Sequence, residues 1–242
     1  MVGFLIAKIQ VPRARPDRRV LFLHEGSTGE EIRLELSAGT LADYDLSAGD
    51  SIGDATRREL EALAEVERCR RQAFRLLANR PRSEEELRRR LVRSDFSYLA
   101  IDRVLAELKA QGSVDDRSFA TEFAAQRRRL KGHAPARVET ELRARGIDRE
   151  TAHRAAWDPY EGGRNEPEAL QFDEALTLLR KRQIRYNGLP RVVARRRMAG
   201  LLSRAGYPTS LSLDAIDVVL DEMEEAGLIV GSSEENESTG WD

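Results

Sequence analysis

Hydrophobic residues recur along this chain with two different periods, and the change falls near residue 53. Before it, residues 3–11 (GFLIAKIQV), 18–24 (RRVLFLH) and 30–36 (EEIRLEL) alternate or are rich in branched side chains. Pro12, Pro16, Gly26 and Gly29 punctuate them, so this part is predicted to form three short strands. A short turn of helix near 38–44 and a turn over 46–49 are expected to follow. A module of about fifty residues buries little apolar surface alone and needs a neighbour to pack on.

Beyond residue 53 the spacing becomes helical. Leu60, Leu63 and Ala64, then Ala73, Phe74, Leu76 and Leu77, predict either one long helix over 54–79 or two that meet near Cys69, with Pro81 ending the run. Ser83 followed three residues later by Glu86 is a capping box, which opens a short helix with Leu87 and Leu91 inward. Asp95 and Ser97 supply a turn and a cap, and Ile101, Val104, Leu105 and Leu108 form the next buried stripe, ended by Gly112. Asp115 and Asp116 cap a third helix, where their charge suits the positive end of the dipole. Its inward residues are Phe119, Phe123 and Leu130. A helix with Val138 and Leu142 runs from Pro135 to Gly146, and another from Asp148 to about Trp157. The stretch DPYEGGRNEP (158–167) has the composition of a linker. Three further helices are expected over 169–183, 190–205 and 213–225. The second of these places Val193, Ala194, Met198, Leu201 and Leu202 inward, and the third Ile216, Val219, Leu220 and Met223.

The helices repeat. AIDRVLAELKAQG (100–112) and AIDVVLDEMEEAG (215–227) agree at seven of thirteen positions, and a more divergent copy occupies 116–158. The predicted fold class is mainly α: three tandem three-helix repeats in an elongated, curved array, with a small β-rich N-terminal module. The expected divisions are the β-rich module 1–53, a connecting helix 54–68, and repeats over 69–115, 116–158 and 168–228. A linker at 159–167 and a disordered acidic tail at 229–242 complete the expected order.

Charge changes this picture. The net formal charge of −2 conceals blocks: −4 over residues 1–68, +8 over 69–145, −5 over 146–179, +9 over 180–207 and −10 over 208–242. Opposite blocks either pair within the fold or form separate faces for different partners. The strongest basic runs are Arg127, Arg128 and Lys131, and Arg195, Arg196 and Arg197, with Arg180 and Lys181 closing the helix between them. At about 100° per residue, Arg128 and Arg196 point away from the apolar faces of their helices. Arg88, Arg89 and Arg90 are weaker candidates, because Glu84, Glu85 and Glu86 neutralise them at i,i+4 spacing.

Catalytic chemistry finds little support. His24, His133 and His153 are scattered without ligand spacing, and there is neither GxxxxGK[ST] nor GxGxxG. The expectation is a protein that is not an enzyme and takes no cofactor or metal. The single cysteine, Cys69, allows no internal disulfide and reads as a small core residue. No apolar run is long enough to span a membrane. Trp157 and Tyr160 suit either base stacking or anchoring of the linker.

Several phrases, in their order and spacing, resemble the RecX regulators of the bacterial RecA recombinase. They are Arg82-Ser83 with Glu86-Leu87 and Leu91; Asp115-Asp116 with Phe119-Ala120; Gly132 with Arg137-Val138 and Glu141-Leu142; and Arg145-Gly146-Ile147. The likeness spans about residues 69–228, and Ser94-Asp95 stands where the family usually has a basic residue and Gly. The resemblance implies a cytoplasmic, monomeric protein that binds the RecA–single-stranded DNA filament. It would inhibit the filament's ATPase, recombinase and co-protease activities in DNA repair and the SOS response. Under that reading Arg127, Arg128, Lys131, Arg195, Arg196, Arg197, Arg180 and Lys181 contact filament or DNA. The alternatives are a direct DNA-binding protein of helix-turn-helix type and a plain structural adaptor. Against direct readout, RVVARRRMAG lacks the Asn, Gln, Ser or Thr that read base edges.

Overall fold

The computed structural model describes residues 3–26, 29–161 and 167–230. The chain divides into two compact units, Met1–Asp115 and Asp116–Asp242. It is mainly helical, with a small antiparallel sheet at the front.

In the first unit, β1 (Gly3–Gln10), β2 (Arg18–Glu25) and β3 (Glu31–Ser37) fall where the alternation predicts them. A fourth strand, β4 (Ser51–Gly53), pairs with the start of β1 and gives the order β3-β2-β1-β4. Three residues carry too little alternation to announce a strand, so β4 is an addition to the predicted module. α1 (Ala38–Ala42) is capped by Ser37, whose hydroxyl accepts from the Thr40 N–H.

One face of the sheet supplies Phe4, Ile6, Leu21, Leu23, Leu34, Leu36 and Ile52, and these pack on Leu60 and Ala64 of α2 (Asp54–Asn79). α2 is one helix of 26 residues, about 39 Å long. Its second half places Val66, Cys69 and Ala73 in a separate core with α3 (Glu84–Val92) and α4 (Tyr98–Ala110). The same helix therefore closes the β module and opens the first three-helix group. Burial pushes the Cys69 thiol up to about 11, as befits a core residue. A buried ion pair fixes sheet to helix: Arg18 Nη1 lies 2.6 Å from Glu67 Oε2, and Glu67 Oε1 accepts from Ser37 N at 3.1 Å and Thr40 Oγ1 at 2.7 Å. Ser83 caps α3 as predicted, accepting from Glu86 N at 3.1 Å, and Leu87 and Leu91 are fully buried. Arg88 and Arg89 pair with Glu84 and Glu85 on the same helix.

The second unit contains α5 (Asp116–Gln126), α6 (Pro135–Ala144), α7 (Arg149–Glu161), α8 (Pro167–Lys181), α9 (Arg191–Ala205) and α10 (Thr209–Glu225). Phe119, Ala120, Ala124, Val138, Leu142, Ile147, Ala152 and Ala156 form the core of the first three helices. Leu179, Ala194, Met198, Leu202, Ile216, Val219, Leu220 and Met223 lie at the centre of the other core.

Three expectations need correction here. α7 does not stop near Trp157 but runs through Pro159 to Glu161, because Tyr160 is buried and anchors the last turn. The composition-based linker thus begins too early; residues 162–166 lie outside the described residues. Val193 is exposed, since the buried stripe of α9 is the narrower Ala194, Met198, Leu202 and Ala205. The stretch expected as an acidic tail from 229 includes two residues that belong to the fold. Ile229 is buried and Val230 bridges to Pro190 in parallel, while residues 231–242 lie outside the described residues.

The two cores of this unit meet through several contacts. Ala134, at the start of α6, donates its N–H to the Ala205 carbonyl at 2.9 Å, and Arg137 donates to the carbonyl of Arg204. Gly206 ends α9 in the left-handed region (φ 89°), and a Cβ there would lie 2.5 Å from that of Arg137. Only glycine satisfies both the backbone conformation and the close approach.

Candidate functional site

The run Arg127-Arg128-Arg129-Leu130-Lys131 does not continue α5 as an α-helix. It forms a π turn, wider by one residue per turn, that ends at Gly132 in the left-handed conformation (φ 63°). The wider turn changes which way each side chain points. Leu130, predicted inward with Phe119 and Phe123, is instead 56% exposed, because the extra residue rotates it off the buried stripe.

The π turn faces the C-terminal end of α8 and the 3-10 turn after it (Gln183–Arg185) across an open cleft of about 740 Å³. Six cations line it: Arg128, Arg129 and Lys131 from one wall, Lys181, Arg182 and Arg185 from the other. Leu130 and Ile184 add two exposed apolar side chains. Among the described residues Glu174 is the one acidic residue lining the cleft, and its charge is already committed. It accepts from Arg128 Nε through Oε1 and from the Tyr160 hydroxyl through Oε2 at 2.6 Å. The Arg128 guanidinium also lies 4.9 Å from the Tyr160 ring centre. Burial works against the charge of Arg128, but the Glu174 contact outweighs it and holds its pKa above the usual value. Tyr160 is pushed above its ordinary range by burial first and then by Glu174. Tyr160 therefore braces the floor of the cleft and does not offer a ring for base stacking.

The remaining five cations, Arg129, Lys131, Lys181, Arg182 and Arg185, form no ion pair among the described residues. Their field extends under the surface. Burial raises the pKa of the Tyr186 hydroxyl, and Arg182, Arg185, Arg204 and Arg197 all oppose that rise. Guanidinium forks match phosphate oxygens bidentately, and ammonium groups add point charge. The arrangement suits a chain of phosphates carrying an apolar or sugar face against Leu130 and Ile184.

Of the sequence-predicted residues, Arg128, Lys131 and Lys181 meet in this cleft. Arg127 turns to the other side, where it donates to Glu141 at 2.8 Å and lies 4.5 Å from the Phe123 ring centre. Arg180 is paired with Glu222 through Nε at 3.1 Å. Arg195 pairs with Asp217 at 3.1 Å, while Arg196 and Arg197 are exposed on α9 without an ion pair among the described residues. Sequence reasoning did not select Arg129, Arg182 or Arg185. The phrase RKRQIR is visible as a basic run, but nothing in it shows that a π turn about fifty residues earlier in the chain lies opposite.

Fold and cleft define the class: a mainly helical repeat protein with a cationic cleft between two of its helical groups. Comparison with known proteins narrows this. The profile for the RecX second three-helix domain matches residues 115–155, and that for the RecX first three-helix domain matches residues 69–108. The regulatory protein RecX of Corynebacterium efficiens is 34% identical over 168 residues, which span 69% of this chain and 77% of the relative. The RecX protein of Amycolatopsis mediterranei is 35% identical, covering 64% of this chain and 82% of its own length. A crystal structure of regulatory protein RecX superposes with a TM-score of 0.64 at 18% identity, over 88% of this chain and 99% of that one. That likeness is one of fold. The chain belongs to the RecX family of regulatory proteins.

Proposed function

We propose that this protein binds the RecA–single-stranded DNA filament and damps its ATPase, recombinase and co-protease activities. In this reading it acts as a monomer in the cytoplasm. The cleft between the π turn and the end of α8 takes the phosphate backbone of the DNA strand. The observation that carries the reading is the gathering of six cations from two sequence-distant elements, five of them without a carboxylate partner among the described residues. Such contacts are strong, salt-dependent and nearly blind to base sequence, as a filament on arbitrary DNA requires. Tyr98 and Leu99, 70% and 77% exposed at the start of α4, are side chains of the kind that anchor protein contacts, and they suit the recombinase itself.

The test is DNA-dependent ATP hydrolysis by preformed RecA filaments, with the chain and with its Lys181→Glu/Arg182→Glu/Arg185→Glu variant. The reading expects inhibition by the chain and at least a roughly tenfold weaker effect from the variant, equivalent to about 1.4 kcal/mol. Tight duplex binding with no effect on hydrolysis would overturn it and favour a direct DNA-binding role.

A further inference from the structure

Four polar side chains cluster at the floor of the cleft, and three of them satisfy one another. Arg128 and the Tyr160 hydroxyl each donate to one oxygen of Glu174. The fourth, Tyr207, is 5% exposed, and its hydroxyl is buried with no hydrogen-bond partner among the described residues. It faces the same groups. Burial raises the pKa of this hydroxyl, Glu174 adds to the rise and Arg128 opposes it. On Arg128, burial is opposed by Glu174, Tyr160 and Tyr207 together. An orphaned buried hydroxyl is costly, and one that persists beside a carboxylate calls for an explanation. The Tyr207 ring is held in place. It lies between Gly206, packed against Arg137, and Pro208 at the start of α10, and its N–H donates to Leu202 O at 3.1 Å. Arg128 is freer: it lines the cleft with its side chain 39% exposed, against 23% for Glu174.

We propose that Tyr207 is a positioning residue for the cleft: when Arg128 turns from Glu174 to a phosphate, the Tyr207 hydroxyl donates to the Glu174 oxygen that Arg128 gives up. The inference rests on the reading of the cleft as a site for a phosphate backbone. A phosphate competes with Glu174 for the same guanidinium, because both accept from it as anions. Without a replacement donor, the exchange would strip one oxygen of a partly buried carboxylate, and that cost would hold Arg128 back. With Tyr207 in place the carboxylate keeps two donors throughout, and the orphan hydroxyl gains the partner it lacks. Only the ends of Arg128 and Glu174 need to move. The sixth cation thereby joins the five that already stand without a carboxylate partner among the described residues.

The experiment is the affinity of the full-length chain for a fluorescent oligothymidylate across a salt series, with thermal melting alongside, for the chain, Tyr207→Phe, Arg128→Gln and the double variant. Tyr207→Phe should bind about 3–10-fold more weakly at low salt, and its slope of log affinity against log salt should be shallower by about 0.7, the share of one phosphate contact on a single strand. Its melting temperature should hold or rise, since an unpartnered hydroxyl has been removed. Arg128→Gln should show the same loss of slope, and Tyr207→Phe should add nothing to it, because the two side chains serve one contact. A merely structural Tyr207 would instead lower affinity and melting temperature together. That result, an unchanged slope in Tyr207→Phe, or losses that add in the double variant would each overturn the inference. If Lys181→Glu/Arg182→Glu/Arg185→Glu abolishes binding while Tyr207→Phe matches the chain, the inference alone fails. If the chain binds no oligothymidylate, or that triple reversal leaves its affinity unchanged, the reading of the cleft fails and the inference with it.

Discussion

Arg127-Arg128-Arg129 and Arg195-Arg196-Arg197 are the same word written twice in the sequence, and the fold reads them differently. The second run lies on α9 as an ordinary α-helical face. Successive side chains there diverge by about 100°, so Arg195 reaches Asp217 on α10 while Arg196 points to solvent. The first run is wound as a π turn that puts Arg128, Arg129 and Lys131 on one wall of a cleft. Lys181, Arg182 and Arg185 answer them from the opposite wall. A run of arginines is a solvated face until a second element brings more cations to it. The cleft concentrates charge; the α9 face disperses it.

The largest expected effect tests that contrast directly. Reversing Lys181, Arg182 and Arg185 to Glu should weaken single-stranded DNA binding by about 100-fold at low salt, equivalent to about 2.7 kcal/mol. Reversing Arg195 and Arg196 should weaken it only about 3-fold. Equal losses in a titration by fluorescence anisotropy would erase the distinction between the two runs. Next in size is Gly206→Ala, which alters the seat of α9. Left-handed backbone costs about 1–2 kcal/mol for an L residue, and the clash with Arg137 Cβ at 2.5 Å adds to it. Thermal melting should fall by at least about 4 °C, and the start of α6 should exchange its amide hydrogens faster.

Glu174→Gln is milder and acts on the cleft floor. Arg128 loses its carboxylate partner, and the Tyr160 hydroxyl keeps only an amide oxygen to donate to. Because both side chains of the pair are partly solvated, the expected loss is about 1–2 kcal/mol, read as a lower melting temperature. Arg128 should at the same time become freer to bind phosphate, so DNA affinity should hold or rise. A fall in affinity matching the reversal of Lys181, Arg182 and Arg185 would show that Glu174 does more than brace the floor.

The smallest effect concerns His133, just past the π turn. Burial holds its pKa below 6.5, with Arg137, Arg127 and Lys131 working in the same direction and Glu141, 3.2 Å away, against them. The unfolded chain therefore takes up a proton that the folded chain resists. This contribution to stability is present above pH 6.5 and declines as the pH falls through the folded value. Urea unfolding between pH 7 and 5 should show a shallower decline for His133→Gln than for the chain; parallel curves would remove His133 from the account.

Much of the helical frame was legible in the sequence because packing there follows local rules. Ser83 caps where a Ser-x-x-Glu phrase says it should, and Ile101, Val104, Leu105 and Leu108 are buried at the spacing of one helix face. The same holds for Ile216, Val219, Leu220 and Met223. The site was half legible. Arg128, Lys131 and Lys181 stand out as charge, but their meeting depends on a π turn whose residues would serve equally well in an α-helix. Nothing local distinguishes i→i+5 from i→i+4 pairing in RRRLK. Tyr160 was hidden for another reason: Asp158-Pro159 and the glycines after it carry the signature of a loop, and burial of the ring against Arg128 and Glu174 overrides it. The ion pairs of Arg180 and Arg127 were not legible either, since their partners Glu222 and Glu141 lie elsewhere in the sequence.

The most direct measurement is the salt dependence of single-stranded DNA affinity for the chain and for Lys181→Gln/Arg182→Gln/Arg185→Gln. Each cation that neutralises a phosphate contributes about 0.7 to the slope of log affinity against log salt for a single strand. If these three side chains sit on the backbone, the variant's slope should be shallower by about 2. Parallel slopes with the same intercept would mean that the cleft does not hold the DNA.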